Sequence, residues 1–526
     1  TVVVPLPDAS FTANGERFVI GDTVQFLDES RPPEGGSITS WLWTFGDGAT
    51  STEQNPAHAY NAAGRYDVSL SITTTGGNRQ KVRTGAISVF QGTALDTYVR
   101  AADTHYSYNI VNTASYFGFT LTTLNMTSQQ WRTSQEVDLP IWTHWMAIAE
   151  PPVLTTDTAI LFISGGSTSS GSPNSETLGA LLTLADALGA VVGIVQQVPN
   201  EPLLFAGETA SRTEDEIIAY TFDKYMTTGD DTWPALFPMA KSVVRAMDTV
   251  QSVVTSTSAK TTASPVRYFV LSGASKRGWT TWLTSITDPR VVAAAPMVID
   301  VLNMQTQMDH QFHAYGAYSD QVQDYVDLDI FGRFNTPEGQ ALLRLVDPFH
   351  YLERLDFPKL MINATGDEFF LPDSAQFYYP YLPGANYLRY IPNTGHGLLG
   401  YTQTLEETIP VLRAAVDSLW APGFSWEVRS DGAIVVTPGD RPSDKPSSVK
   451  LWQATNTKAR NFRLDEIGAA WTSTELHPDA SGNYVGFPVA PAKWTAYMVE
   501  LTIPSGDVKP YVFTTEVRVT PDELPF

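Results

Sequence analysis

The chain has 526 residues, 43% of them hydrophobic and 11% aromatic, which is too long for one ordinary domain and rich enough for several buried cores. Its 33 Lys and Arg stand against 56 Asp and Glu, and the formal net charge of −23 argues against nucleic acid or an anionic membrane as partner. Cysteine is absent, which excludes disulfides, thiolate metal sites and cysteine nucleophiles.

The first ninety or so residues read as all-β. Tyr66, Val68, Leu70 and Ile72 alternate with polar residues, the period of a half-buried strand, and turn chemistry recurs in "RPPEGG", "GDG" and "TTGGN". Trp43, Phe45, Gly46, Asp47, Gly48, Pro56, Tyr60, Gly64, Tyr66 and Val68 together resemble the polycystic-kidney-disease (PKD) repeat, an immunoglobulin-like sandwich. The resemblance implies an accessory domain over residues 1–91.

From residue 92 to 421 apolar runs alternate with helical stretches, the pattern of an α/β domain with a mostly parallel sheet. "AILFISGG" (159–166) and "VVGIVQQVP" (191–199) read as short buried strands. "RTEDEIIAYTFDKYM" opens a helix, with Thr213 three residues before Glu216 as a capping box. Met239, Val243, Met247, Val250 and Val254 mark one face of the next helix. "RYFVLSG" is a strand with the helix "WTTWLTSI" behind it. "VVAAAPMVI", "KLMINATG" and "NYLRYIPNTGHG" follow as strands, and "TLEETIPVLRAAVDSLW" as the closing helix. Residues 301–346 break the rhythm and are expected to cap one end of the sheet. From residue 422 the pattern returns to β, and 422–526 are expected to form a small β-sandwich. No stretch of 18 uninterrupted apolar residues occurs, so no membrane span is expected. A first residue that is Thr1 rather than Met, with no cysteine anywhere, sets the expectation of an exported, extracellular protein whose signal peptide has been removed.

The chemistry concentrates around "SGASKRGW". An apolar strand runs into a glycine turn with Ser275 at its tip and a helix behind it, the context a nucleophile elbow needs. Gly273 removes the Cβ that would collide in the turn, and the Lys276 N–H faces a developing oxyanion at the helix start. The pattern is G-x-S-x-x-G, with Arg277 where the commoner elbow has its second glycine. A serine needs a base, and among eight histidines His396 lies just past the last strand, in "NTGHGLLG". Its acid should follow "KLMINATG"; Asp367 is preferred there, with Asp373 as fallback. The second oxyanion donor is expected from Gly165, Gly166 or Ser167. Arg277 is either paired beside the elbow or aimed at a substrate carboxylate. His310, His313 and Tyr315 are candidates to line the substrate site, and no metal or other cofactor is expected.

"VPNEPLLF", "RTEDEIIAYTFDKYM", "WPALFPMAKSVVRAMD", "SGASKRGWTTWLT" and "INATGDEFFLPDS" resemble the PhoPQ-activated pathogenicity-related protein family over about residues 93–520. The resemblance implies an α/β-hydrolase fold with Ser275, Asp367 and His396 as its triad. The Ser-Lys-Arg turn is also similar, over a few residues, to the Ser-Arg turn of glucuronoyl esterases. The expected function is a secreted serine hydrolase of carboxylic esters, polymeric ones among the candidates. A peptidase or amidase using the same residues, and a non-catalytic binding or signalling protein on the same scaffold, are the alternatives.

Overall fold

The structure is a computed structural model that describes residues 7–257, 265–417, 421–489, 491, 493–506 and 509–526. The chain divides into two compact units. The first holds the residues up to Thr97 together with Thr287–Arg290, and the second holds the remainder. The break thus falls six residues beyond the expected one, inside the helix Ala94–Arg100.

In the first unit, a three-stranded sheet (Phe11–Ala13, Thr23–Asp28, Ala57–Ala59) faces a five-stranded one built on the hairpin Gly64–Thr74 and Gly77–Phe90. Val68, Leu70 and Ile72 point into a core shared with Phe11, Phe26, Trp43 and Phe45, as the alternation requires. The Tyr60 hydroxyl donates to the Phe45 carbonyl at 3.0 Å, so this buried ring satisfies its polar end.

The second unit is built on a 14-stranded sheet. Its strands in chain order are β1 (Ser107–Tyr116), β2 (Phe119–Gln130), β3 (Ile141–Glu150), β4 (Thr158–Ile163), β5 (Val192–Val195), β6 (Tyr268–Ala274), β7 (Val291–Met297), β8 (Lys359–Ala364) and β9 (Asn386–Ile391). β10 (Ser448–Asn456), β11 (Thr472–Glu475), β12 (Trp494–Ile503) and β13 (Tyr511–Thr514) follow, and Arg518–Thr520 pairs with β12. The spatial order is β11-β10-β12-β13-β9-β8-β7-β6-β4-β5-β3-β2-β1. The pairs from β5 through β4, β6, β7 and β8 to β9 are parallel. These central strands read as unbroken apolar runs because helices cover both faces.

Helices flank this centre: α1 (Ser175–Leu188), α2 (Glu214–Thr228), α3 (Leu236–Thr257), α4 (Lys276–Thr287), α5 (Met304–Tyr315), α6 (Pro337–Val346) and α7 (Tyr401–Val416). The expected closing helix reached Trp420, but residues 418–420 lie outside the described residues. From β4 the chain moves outward to β5 and then returns to the other side of β4 as β6. That reversal leaves a crevice at the carboxyl ends of β4 and β6, the place where open α/β sheets bind ligands. The β4 loop and the Ser275 turn flank it.

Two expectations change. The sheet as a whole is not mostly parallel, because antiparallel pairs extend both wings: β1-β2-β3 on one side and β13-β12-β10-β11 on the other. Nor do residues 422–526 form a sandwich of their own. The strands Phe424–Val428, Ile434–Pro438 and Tyr484–Gly486 make a small second sheet, but its partner layer is the continuation of the central sheet. β13 joins β9 at the Leu388–Thr514 pair, and the Arg389 Nη1–Glu500 Oε2 bridge at 2.6 Å fastens β9 to β12.

This wing also braces the loops beyond β8 and β9. Leu464 N–H donates to the Gly366 carbonyl at 2.9 Å. Asn393 and Trp471 exchange two hydrogen bonds, of 3.0 and 2.9 Å. Ending the chain at residue 421 should therefore abolish cooperative unfolding of the second unit, since it bares β9 and the face now covered by Phe513. Thermal melts of the truncated chain check this, and a melt like that of the full chain would contradict it.

Candidate functional site

β6 ends in a turn where Ser275 has φ +57°, a left-handed conformation rare for a residue with a Cβ. Ser275 N–H donates to the Met297 carbonyl at 2.9 Å, and the Ser275 carbonyl accepts from Trp279 N–H at 3.0 Å, so the strained residue is held from both sides. Both flanking glycines are required by close approach. A Cβ on Gly273 would stand 2.6 Å from the Arg277 carbonyl oxygen, and one on Gly278 would stand 2.6 Å from Ile299. The second glycine of the elbow motif is thus displaced by one position while the turn itself remains. Lys276 is the first residue of α4, so its amide has no intrahelical acceptor.

Across the crevice, Gly166 in the β4 loop has φ +122°. Among the described residues the amides of Gly165, Gly166 and Ser167 meet no acceptor, whereas Ser164 N–H pairs with Val195 and Thr168 N–H with Glu201. The three free donors are therefore the ones on the loop's crest.

Asp367 lies three residues past the end of β8 and is 4% exposed. Both its oxygens stand 3.0 Å from His396 Nδ1. Glu368 Oε2 accepts the His396 backbone N–H at 2.7 Å, and the Phe369 ring lies 4.2 Å from the imidazole. Nδ1 therefore presents its N–H to Asp367, and Nε2 is the ring nitrogen turned away from that carboxylate. That Nε2 is buried and hydrogen-bonded to none of the described residues, the Ser275 hydroxyl included. Ser275 and His396 share walls instead: Phe369 and Phe370 line the cavity beside Ser275 and also flank the imidazole.

That cavity is mostly apolar. Trp279 comes from α4, Ile299 and Val301 from the segment after β7, and Met304, Met308, Val322, Tyr325 and Phe331 from the 301–346 insertion. Its polar members are Ser275, Lys276 and Asp215.

The fallback acid lies elsewhere. Asp373 accepts from Arg460 Nη2 at 2.6 Å and faces His310 Nε2 at 3.1 Å. Burial favours its neutral form, but Arg460 and His310 outweigh it and hold the carboxyl well below the usual range. His310 is thereby engaged away from the serine, and His313 Nδ1 is bonded to the Asp309 carbonyl of its own helix. Tyr315 lines a separate cavity with Arg460 and Phe526. The structure brings none of the three to the serine cavity. Arg277 is buried and paired: Nη1 and Nη2 donate to the two oxygens of Glu214 at 2.7 and 2.8 Å.

Sequence reasoning missed the carboxylates beneath the elbow. Glu214 also takes Lys276 Nζ at 2.5 Å, and Asp215 takes it at 3.0 Å. Glu201 Oε2 accepts the Glu214 N–H at 2.7 Å. Burial and the neighbouring Glu214 carboxylate push Glu201 well above the ordinary glutamate value. Burial acts the same way on Glu214, but Arg277 and Lys276 overcome it and hold Glu214 well below. "TEDE" reads as a helix start, and the capping box of Thr213 and Glu216 is indeed formed. Its two inner acids were free for a second task, and the signal was the basic pair Lys276-Arg277 following a buried strand.

The chain matches two family models, one described as PhoPQ-activated pathogenicity-related protein over residues 95–463 and one described as PKD domain over residues 5–89. Autocrine proliferation repressor protein A of Dictyostelium discoideum is 33% identical over 464 residues, 84% of this chain and 92% of that protein. Microbial collagenase of Vibrio alginolyticus is 45% identical over 71 residues, 14% of this chain and 9% of that protein. Among solved structures, acetyl xylan esterase from Paenibacillus sp. R4 overlaps 61% of this chain and 92% of its own, with 13% identity and a TM-score of 0.43.

The carboxylate cluster makes stability depend on pH. The folded chain holds the Glu201 proton more tightly than the unfolded chain does. That contribution is fully present below the ordinary value of 4.5 and is lost as pH rises through the raised one. Glu201→Gln cannot ionise, so its stability relative to the parent should improve from about pH 4 to about pH 8. Urea denaturation at both pH values measures the difference, and a constant one would contradict the assignment.

Proposed function

The chain belongs to the PhoPQ-activated pathogenicity-related protein family, and we propose that it is a serine hydrolase acting on carboxylic esters through an acyl-enzyme. The observation that carries this reading is the grip of Asp367 on His396 Nδ1, which leaves Nε2 buried and bonded to none of the described residues, while Phe369 and Phe370 flank the imidazole and also line the cavity of Ser275, itself in an elbow conformation. Ser275 Oγ attacks the ester carbonyl and gives its proton to His396 Nε2. Asp367 keeps the ring in the required tautomer and stabilises the imidazolium. The Lys276 amide and those of Gly165 to Ser167 receive the oxyanion. The tetrahedral species collapses as His396 returns the proton to the leaving alcohol. Water, deprotonated by the same nitrogen, then releases the acid. Substrate binding draws the serine hydroxyl into the Nε2 hydrogen bond, since catalytic contacts in empty sites are commonly long.

The apolar cavity supports an uncharged group beside the serine.

A second reading has its own support. The relative that spans most of the chain is named as a proliferation repressor, and a hydrolase scaffold can serve as a binding or signalling surface without turnover. Labelling by a fluorophosphonate separates the two. The hydrolase reading requires a covalent adduct on Ser275 that Ser275→Ala does not form.

Ser275→Ala and His396→Ala should each lower kcat on soluble nitrophenyl esters by roughly 10^4-fold or more, and Asp367→Asn by roughly 10^3-fold. Steady-state kinetics of the folded variants check this, and a silent Asp367→Asn would contradict the acid's role. In the parent chain, lengthening an acetyl to a butyryl ester should raise kcat/KM, since each methylene buried in the cavity is worth about 0.8 kcal/mol. A succinyl ester of similar length should be a poor substrate, because its carboxylate would enter an apolar site beside Asp215, where the Lys276 ammonium is already held by Glu214 and Asp215. Equal rates on butyryl and succinyl esters would contradict the placement.

A further inference from the structure

Arg277 stands two residues past Ser275, yet its side chain does not line the serine cavity. It is 8% exposed and fully engaged: a two-pronged pair with Glu214, and an Nε donation to the Val198 carbonyl at 2.5 Å. The Val198 end is the informative one. Val198 N–H donates to the Ser164 carbonyl at 3.1 Å and Gln197 N–H to the Gly165 carbonyl at 3.0 Å. Gln197 Nε2 donates to the Ser167 carbonyl at 2.9 Å. The segment holding Val198 is thus laid along the β4 loop, and Arg277 fastens that segment to α4.

The guanidinium also touches the loop itself. A Cβ on Gly165 would lie 2.2 Å from Arg277 Nη2 and 2.5 Å from Cζ, so the guanidinium occupies the space a side chain at 165 would need. The other anchor is equally fixed. Glu214 has φ +51°, a costly conformation for a residue with a Cβ, and its N–H is held by Glu201.

We propose that Arg277 is a positioning residue for the oxyanion site: it ties the helix that begins with the Lys276 amide to the loop that presents the Gly165, Gly166 and Ser167 amides, and so sets the spacing between the two halves. This rests on the hydrolase reading. Donors stabilise an oxyanion only where its charge develops, and a displacement of about 1 Å is enough to cost roughly 10^2-fold in rate. Lysine cannot replace this arginine. One ammonium cannot span both Glu214 oxygens and the Val198 carbonyl, which a planar guanidinium does at once.

The test uses Arg277→Lys and Arg277→Met in the full chain. The readouts are kcat and KM on a soluble nitrophenyl ester, and hydrogen exchange at the Gln197, Val198 and Thr168 amides. Both variants should lose roughly 10^2-fold in kcat with KM changed by less than about threefold, and these amides should exchange at least about tenfold faster. Gly165→Ala, which intrudes on the guanidinium, should give a similar loss. Combined with Arg277→Met it should cost little more than either change alone. A Lys variant with parental kcat, or losses that multiply in the double variant, would overturn the proposal. Exchange also distinguishes the two possible failures. If the parent turns over no ester, faster exchange in the variants upholds the tether and defeats only the hydrolase reading, whereas unchanged exchange defeats the tether.

Discussion

One carboxylate gives both its oxygens to one ring nitrogen, and the proposed chemistry depends on that choice. Asp367 is almost wholly buried, and a buried charge is tolerable only when it is paired. His396 Nδ1 supplies the pairing and thereby loses its freedom of tautomer. The loop around it leaves little alternative: the backbone amide of His396 is held by Glu368, and Phe369 lies against the imidazole face. Both parts of this arrangement start from strand ends, β8 and β9, whose parallel pairing at Ala364–Ile391 brings the two loops side by side.

The same economy explains the ground beneath the serine. Lys276 and Arg277 are buried cations at the start of a helix, where the helix dipole opposes positive charge. Their presence there requires acids, and the first turn of α2 supplies Glu214 and Asp215. Glu201 then completes a network in which two neighbouring carboxylates shift in opposite directions: burial and the Glu214 charge raise Glu201, while Arg277 and Lys276 lower Glu214. The polar cluster fixes backbone on one side of the crevice, while apolar and aromatic side chains from residues 301–346 supply walls to the cavity beside Ser275.

Much of this was legible in the chain because its causes are local. Gly273 is required by a contact within its own turn, and the buried strands announce themselves as unbroken apolar runs. Ser275, Asp367 and His396 each lie just past a strand, and strand ends can be counted along the chain. That Asp367 rather than Asp373 meets His396 was also within reach, since Asp367 lies closer to the end of the strand. The remainder depended on distance in space. An alternating strand such as 494–503 reads the same whether it closes a small sandwich or extends a large sheet, so the C-terminal wing was misjudged. Glu214 and Asp215 look like ordinary first-turn acids, and nothing near them in sequence announces Arg277. His310 and Tyr315 sit on the helix that carries Met304 and Met308, but a shared helix does not mean a shared face.

The central claim is spatial: the Ser275 hydroxyl, the His396 imidazole and the crest amides of the β4 loop act on one carbonyl. A crystal structure of the chain inactivated by an alkyl phosphonate ester tests it most directly. The account predicts phosphorus on Ser275 Oγ and His396 Nε2 within about 3 Å of an adduct oxygen. It also predicts the phosphoryl oxygen between the Lys276 amide and those of Gly165 to Ser167, with Asp367 still on Nδ1. An adduct whose phosphoryl oxygen faces neither set of amides, or an imidazole turned away from it, would contradict the account.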